Sequence, residues 1–233
     1  MRDNLKIMGF HIIEEVYSSM EVTQIISLID SEVTPNQFGI REFLIDKPNL
    51  CKKIFNTKLL QVIKHVSPNC KKAIKSIYFD KPPSVNWNVN WHQDLTINLT
   101  NRKEVDYYKN WRKKDQRYVV QPNKEFLENI FTIRIHLDDC SETNGALRVI
   151  ENSHLNGVVS IKEWIKGKKG IEKICEVKKG GILLIKPLLL HSSKRAENEI
   201  NRRVIHIEFT DKELPDGLMW KEKVEFESLP DNN

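Results

Sequence analysis

The sequence predicts an α+β fold that is mainly β: helices come first, and a closed or sandwiched antiparallel sheet follows them. Three observations predict it. Apolar residues recur at helical spacing only as far as Val66. From Ala73 onward, short runs rich in Val, Ile and aromatic residues take over, separated by Pro, Asn-Gly and Gly-Gly breaks. Several of these runs alternate between an apolar and a polar side, the pattern of a strand with two different faces. Helices followed by such a series of strands pack as a closed or two-layered sheet with the helices outside it.

The elements follow in order. GFHIIEEVYS reads as a strand. Ser18-Ser19-Met20-Glu21 then supplies a capping box before Val22, Ile25, Ile26, Leu28 and Ile29, which predicts a helix to about Ser31. Pro48 to Val66 carries one apolar stripe and is helical in one or two pieces. The strand runs are KSIYFD, SVNWNVNWHQD, IFTIRIHLDD, GALRVIENS, ICEVKK, ILLIKPLLLHSS and RRVIHIEFT. No repeat, low-complexity tract or linker interrupts them, so residues 1–233 read as one domain. One insertion, about 95–129, is long, polar and aromatic; it is expected to form a lid that includes Tyr107, Tyr108, Trp111 and Arg112.

Composition narrows the function. The chain has 37 Lys+Arg against 32 Asp+Glu, a formal charge of +5. Only 10 of the cations are Arg, and the densest run, Ile161–Lys179, interleaves Lys with Glu as a solvated surface does. Base and phosphate recognition favours the planar Arg fork, so nucleic acid is not the expected partner. No apolar run reaches the roughly 20 residues of a membrane span. MRDNLKIMGF lacks the apolar core of a secretory signal. The four cysteines show no CxxC spacing, and reduced thiols in the cytoplasm are the expectation.

Alternation locates the chemistry. In Asn86–Asp94 one side carries Asn86, Asn88, Asn90, His92 and Asp94, the other Trp87, Val89 and Trp91. In Phe131–Asp138 Thr132, Arg134, His136 and Asp138 oppose Phe131, Ile133, Ile135 and Leu137. In Arg202–Phe209 Arg202, Val204, His206 and Glu208 oppose Arg203, Ile205, Ile207 and Phe209. A solvated face shows Lys, Glu and Thr; three faces of His, Asn and Arg fit a barrel with a polar interior better. His92 and Asp94, two apart, can then converge on one ion, and His191 is the best third ligand. Two imidazoles and one carboxylate on one face of Fe(II) leave open positions for a chelating 2-oxo acid and dioxygen. The far carboxylate of that acid needs a cation, and alternation selects Arg202 over Arg203.

NWHQD, HLDDCSETNGALRVIENSHLNG and HSSKRAENEINRRVIHIEF resemble the phytanoyl-CoA dioxygenase family of non-haem iron, 2-oxoglutarate-dependent oxygenases. The resemblance runs from GFHIIEEVYSSMEV through Lys81-Pro82-Pro83 to about Phe209. It implies a double-stranded β-helix (a jelly roll, cupin-like) with N-terminal supporting helices. It also implies His92, Asp94 and His191 as metal ligands and catalytic centre, with Arg202 and Ser193 on 2-oxoglutarate. Arg134 stands where relatives often place a cosubstrate-contacting residue, frequently Trp, which makes it a candidate contact to 2-oxoglutarate or else to the substrate, and Glu151-Asn152 stands where they commonly have Pro-Gly.

The expected activity is hydroxylation of a small organic molecule, with Fe(II), 2-oxoglutarate and O2 consumed to give succinate and CO2. The same iron site could serve desaturation, cyclisation or epimerisation, and a non-catalytic metal-binding jelly roll is the rival outside enzymology. Asn88, Asn90, His136 and Trp111 are the candidate substrate contacts. Arg134 and the cationic insertion hint at an anionic substrate. Trp87 and Trp91 are expected in the core, and His154 in a structural turn.

Overall fold

The computed structural model describes residues 1–34, 37–82, 87–167, 170–197 and 201–226. The N-terminal third is helical: α1 (Arg2–Met8), β1 (Phe10–Ile13), α2 (Ser19–Glu32), β2 (Gly39–Arg41), α3 (Pro48–Ile54) and α4 (Thr57–Val66). The predicted capping box starts α2, with Ser18 Oγ accepting from Glu21 N while Glu21 returns a bond to Ser18 N; such a cap contributes about 1 kcal/mol. Asn56 breaks the second helical region in two and caps α4 through Leu59 N. The short α1 was not anticipated; its single buried residue, Leu5, gives no period to read.

Then follow β3 (Lys72–Lys81), β4 (Val89–His92), β5 (Ile97–Leu99), β6 (Lys109–Lys114), β7 (Arg117–Gln121), α5 (Lys124–Asn129), β8 (Phe131–His136) and β9 (Leu147–Ile150). The chain closes with α6 (Ile161–Lys166), β10 (Glu172–Cys175), β11 (Ile182–Ile185), β12 (His191–Ser193), β13 (Arg202–Phe209) and β14 (Val224–Glu225). A seven-stranded antiparallel sheet runs β1-β11-β8-β13-β3-β14, with β2 also on β3. A four-stranded sheet, β10-β9-β12-β4, faces it. The fold is the mainly β, α+β jelly roll that was expected.

The large sheet separates two chemistries. Its outer face carries Ile133, Ile135, Ile205, Ile207 and Phe209, buried in one cluster with Val22 and Ile25 of α2, Ile54 of α3 and Leu59 of α4. Its inner face carries Arg134, Arg202, His206 and Glu208. Asp138 is an exception to the predicted alternation. β8 ends at His136, and the Asp138 carboxylate turns to take Arg203 N and both arms of the Arg203 guanidinium at 2.7–2.9 Å.

The 95–129 segment is built rather than irregular: β5, β7 and β6 form a third, three-stranded sheet. Residues beyond β13 fasten it, through Thr100 N to Met219 O (3.0 Å) and Lys221 N to Asn98 O (3.1 Å), before β14 pairs with β3 in the large sheet. All four cysteines are buried and free. Among the described residues no helix is long and apolar enough to cross a membrane.

Candidate active site

A cavity of about 270 Å³ lies between the two main sheets. On its small-sheet wall His92 and His191 are direct cross-strand partners on β4 and β12, their ring centroids 4.1 Å apart. Each Nδ1 lies 2.8 Å from a backbone carbonyl, that of Asn90 for His92 and of Leu189 for His191. A carbonyl only accepts, so each Nδ1 carries the proton and each Nε2 presents a lone pair. Both Nε2 atoms face Asp94, at 3.8 Å from Oδ1 for His92 and 3.6 Å from Oδ2 for His191. Asp94 Oδ2 is buried without a hydrogen-bond partner among the described residues. Two lone pairs and an orphaned carboxylate oxygen within 4.8 Å of one another form a donor set suited to a divalent ion.

The backbone between them is held by Gln93. Its side-chain amide donates to Gly157 O (2.8 Å) and Leu188 O (2.6 Å), and its carbonyl accepts from Val159 N (3.0 Å). Asp94 N is tied to Pro187 O at 2.8 Å. Burial alone would raise the Asp94 carboxyl; the imidazoles of His191, His206 and His92 and the Lys75 ammonium reverse this and hold it well below the usual carboxylate range. Burial pushes His191 down to about 4, which keeps its imidazole neutral near pH 7.

On the opposite wall Arg202 points inward as predicted, buried, its Nη1 donating to Gly145 O. Lys81, which the sequence did not single out, is its cross-strand partner on β3 and also lines the cavity. Two cations side by side repel unless an anion joins them. Burial, then Arg202 and Arg134, push Lys81 down to about 7. Ser193 lines the same cavity.

Arg134 is placed by a polar chain. Its Nη1 lies 3.2 Å from His206 Nδ1, which must accept; His206 Nε2 then faces Glu208 Oε1 at 3.4 Å. Glu208 takes Lys75 Nζ at 2.7 Å, and Lys75 also reaches Thr96 O at 2.8 Å. Asp94, His206 and Glu208 form a second cluster with metal-ligand spacing. Its His206 and Glu208 atoms are already engaged, whereas the His92–Asp94–His191 atoms are not.

Several expected contacts fall elsewhere. Between the pairs Val89–Ser193 and His92–His191, two residues of β4, Asn90 and Trp91, stand against one of β12, Ser192. This β-bulge reverses the side on which earlier residues point. Trp87 and Val89 therefore line the cavity, with Lys81 Nζ 4.0 Å above the Trp87 ring, while Asn88 and Asn90 are exposed and bond to each other at 2.8 Å. Asn86 lies outside the described residues. His136 is buried beside Arg134 and Arg202, but does not line the cavity; burial and those two cations push it well below an ordinary imidazole. Trp111 packs against Tyr118 and lies beneath Arg102, away from the cavity, and Tyr107, Tyr108 and Arg112 do not line it either. Within the insertion Thr96 does. His154 is structural as expected, its Nε2 donating to Lys6 O at 2.9 Å. Asn152 adopts a left-handed φ of 61°, the role a glycine fills in a Pro-Gly pair.

With this geometry in hand, the sequence matches the family description "Phytanoyl-CoA dioxygenase (PhyH)" over residues 9–204. The chain belongs to the phytanoyl-CoA dioxygenase family. That makes it an enzyme of the 2-oxoglutarate-dependent non-haem iron oxygenases. A search of the curated proteins gives no match. Among solved structures, AviO1 from Streptomyces viridochromogenes Tue57 is similar at 17% identity and a TM-score of 0.66, covering 91% of this chain and 94% of its own. Iron-bound HygX from Streptomyces hygroscopicus is similar at 16% identity and 0.61, covering 97% of each chain. The carbocyclase SnoK from nogalamycin biosynthesis, described as non-haem and α-ketoglutarate-dependent, shares 13% identity at 0.65, over 90% of this chain and 82% of its own. These likenesses show that the chain shares its fold with these three proteins.

Proposed function

We propose that this phytanoyl-CoA dioxygenase family member is an Fe(II)- and 2-oxoglutarate-dependent hydroxylase of a small organic molecule, with His92, Asp94 and His191 as its iron ligands. The observation that carries this reading is the pairing of two unlike ends in one cavity. At one end lie two Nε2 lone pairs and the orphaned Asp94 oxygen; at the other lie Arg202 and Lys81, cross-strand cations whose side chains donate to the carbonyls of Gly145 and Trp87 and have no carboxylate partner among the described residues. That arrangement suits a molecule that chelates a metal with one terminus and presents a carboxylate with the other. Iron bound there supplies, with 2-oxoglutarate and O2, oxidative decarboxylation to succinate and CO2 coupled to oxidation of a substrate C–H bond.

The chain's own tasks are positional. The carbonyls of Asn90 and Leu189 fix the imidazole tautomers. Gln93 keeps His92 and Asp94 on one side of the backbone. Arg202, Lys81 and Ser193 receive the distal carboxylate, and Trp87, Val89 and Phe79 supply apolar wall around it. Anaerobic addition of Fe(II) and 2-oxoglutarate should give a metal-to-oxo-acid charge-transfer band, followed by succinate release on admitting O2. His92→Ala and Asp94→Ala should lose both. A wild-type protein that binds neither, or variants that keep both, overturns the assignment. SnoK carries the same fold to a ring closure, so mass analysis of the product, a gain of one oxygen against a loss of two hydrogens, separates hydroxylation from cyclisation.

A further inference from the structure

We propose that Arg134 is the receptor for an oxyanion on the substrate, a carboxylate or a phosphate group; this rests on the oxygenase reading above. Among the described residues five cationic side chains and two carboxylates line the cavity. Lys75 and Glu208 neutralise each other at 2.7 Å. Fe(II) and the 2-oxoglutarate dianion carry equal and opposite charge, so loading both leaves the balance unchanged. Arg41, Lys81, Arg134 and Arg202 against Asp94 then leave three positive charges in a small cavity. Arg202 and Lys81 are partners at one place and suit a single carboxylate. Arg134 is rooted elsewhere. It pairs with His206, four residues along β13 from Arg202, which is about 13 Å of strand. That puts its origin toward the metal-binding wall, beside the His206–Glu208 pair that clusters with Asp94. Among the described residues no carboxylate pairs with its guanidinium, and Arg134 Nε is buried without a hydrogen-bond partner. Its orientation is nevertheless fixed, by His206 at 3.2 Å and by the Phe79 ring, whose centroid lies 5.7 Å from its Cζ. An oriented guanidinium with unused donors, facing a cavity short of negative charge, binds an oxyanion through charge-assisted and often bidentate bonds.

The test uses the wild-type Fe(II)–2-oxoglutarate complex without oxygen, titrated with propionate, methylphosphonate and the neutral propionamide while the charge-transfer band is followed. An anion should shift the band saturably and propionamide should not; the stronger of the two anions reports carboxylate or phosphate as the group recognised. Arg134→Gln should weaken the anion by about tenfold or more while the Kd for 2-oxoglutarate stays within about twofold. Arg134→Lys, which keeps the charge without the fork, should fall between and shows that loss in the Gln variant is not misfolding. Equal binding of propionamide, or anion binding unchanged in Arg134→Gln, overturns the proposal. So does a tenfold weaker Kd for 2-oxoglutarate in that variant, which gives Arg134 to the cosubstrate. Absence of any band in the wild type is instead the failure of the iron reading. The anions are then followed by the melting temperature of the metal-free protein, where a shift equal in wild type and Arg134→Gln again overturns the proposal and a shift lost in the variant supports it.

Discussion

Lys81 and Arg202 show how a pair of side chains sets the conditions under which a site works. Held together by strand register and stripped of water, they leave the Lys81 ammonium poised near pH 7. A bound carboxylate stabilises the charged form and raises that value, so binding takes up a proton once the free ammonium has begun to titrate. The affinity for 2-oxoglutarate should therefore be level below pH 7 and fall as pH rises above it, by up to about tenfold per unit. Calorimetry from pH 6 to 9 measures this, and Lys81→Gln should flatten the profile above pH 7 while weakening binding below it. Nothing in the sequence pattern marks Lys81, since its importance comes from the residue opposite it on β13. Arg202, by contrast, was legible, because one strand's alternation suffices to separate it from Arg203.

At the scale of the element, the contrast is between β13 and β4. β13 keeps its alternation for its whole length, so every inward residue read from its sequence lines the cavity. β4 holds an extra residue against β12, and its faces exchange before His92. The His92 and Asp94 end was legible from its two-residue spacing, whereas Asn88 and Asn90 were misread because a bulge is a property of two strands and not of one. The strands of the insertion were not legible for a related reason: β6 is exposed along almost all of its length, β7 is only partly buried, and the short β5 is bonded to residues beyond β13. Turn geometry at Gly145 makes a separate prediction. It has φ +74, its carbonyl holds Arg202, and a Cβ there would lie 2.7 Å from Lys194 O. Gly145→Ala should cost about 1–3 kcal/mol of stability in thermal unfolding. It should also weaken 2-oxoglutarate by roughly tenfold, because the carbonyl that orients Arg202 is displaced.

For the whole molecule, Glu222 ties the C-terminal segment to the large sheet. Its carboxyl is buried, accepts from Ser76 N at 2.6 Å and from Ser76 Oγ, and is pushed by burial from 4.5 to about 7. The folded chain holds this proton more tightly than the unfolded chain, so stability from this group is full below about pH 4.5 and is lost as pH rises through 7. Across that window the loss should be roughly 3 kcal/mol. The melting temperature of Glu222→Gln, set against that of wild type from pH 4 to 8, should gain on the wild type as pH rises. The order β1-β11-β8-β13-β3-β14 has a consequence in time as well as in space. β13 lies between β8 and β3, and its Glu208 meets Lys75 across 133 positions of sequence. During synthesis β3 and β8 must therefore wait with open edges until residues 202–209 leave the ribosome, and closure of so non-local a sheet is slow, on the order of milliseconds to seconds. The strand that ends the wait also brings Arg202, His206 and Glu208. A nascent chain halted before it has neither a continuous large sheet nor the Arg202, His206 and Glu208 side of the cavity, so closing the sheet and completing the cavity wall are a single event.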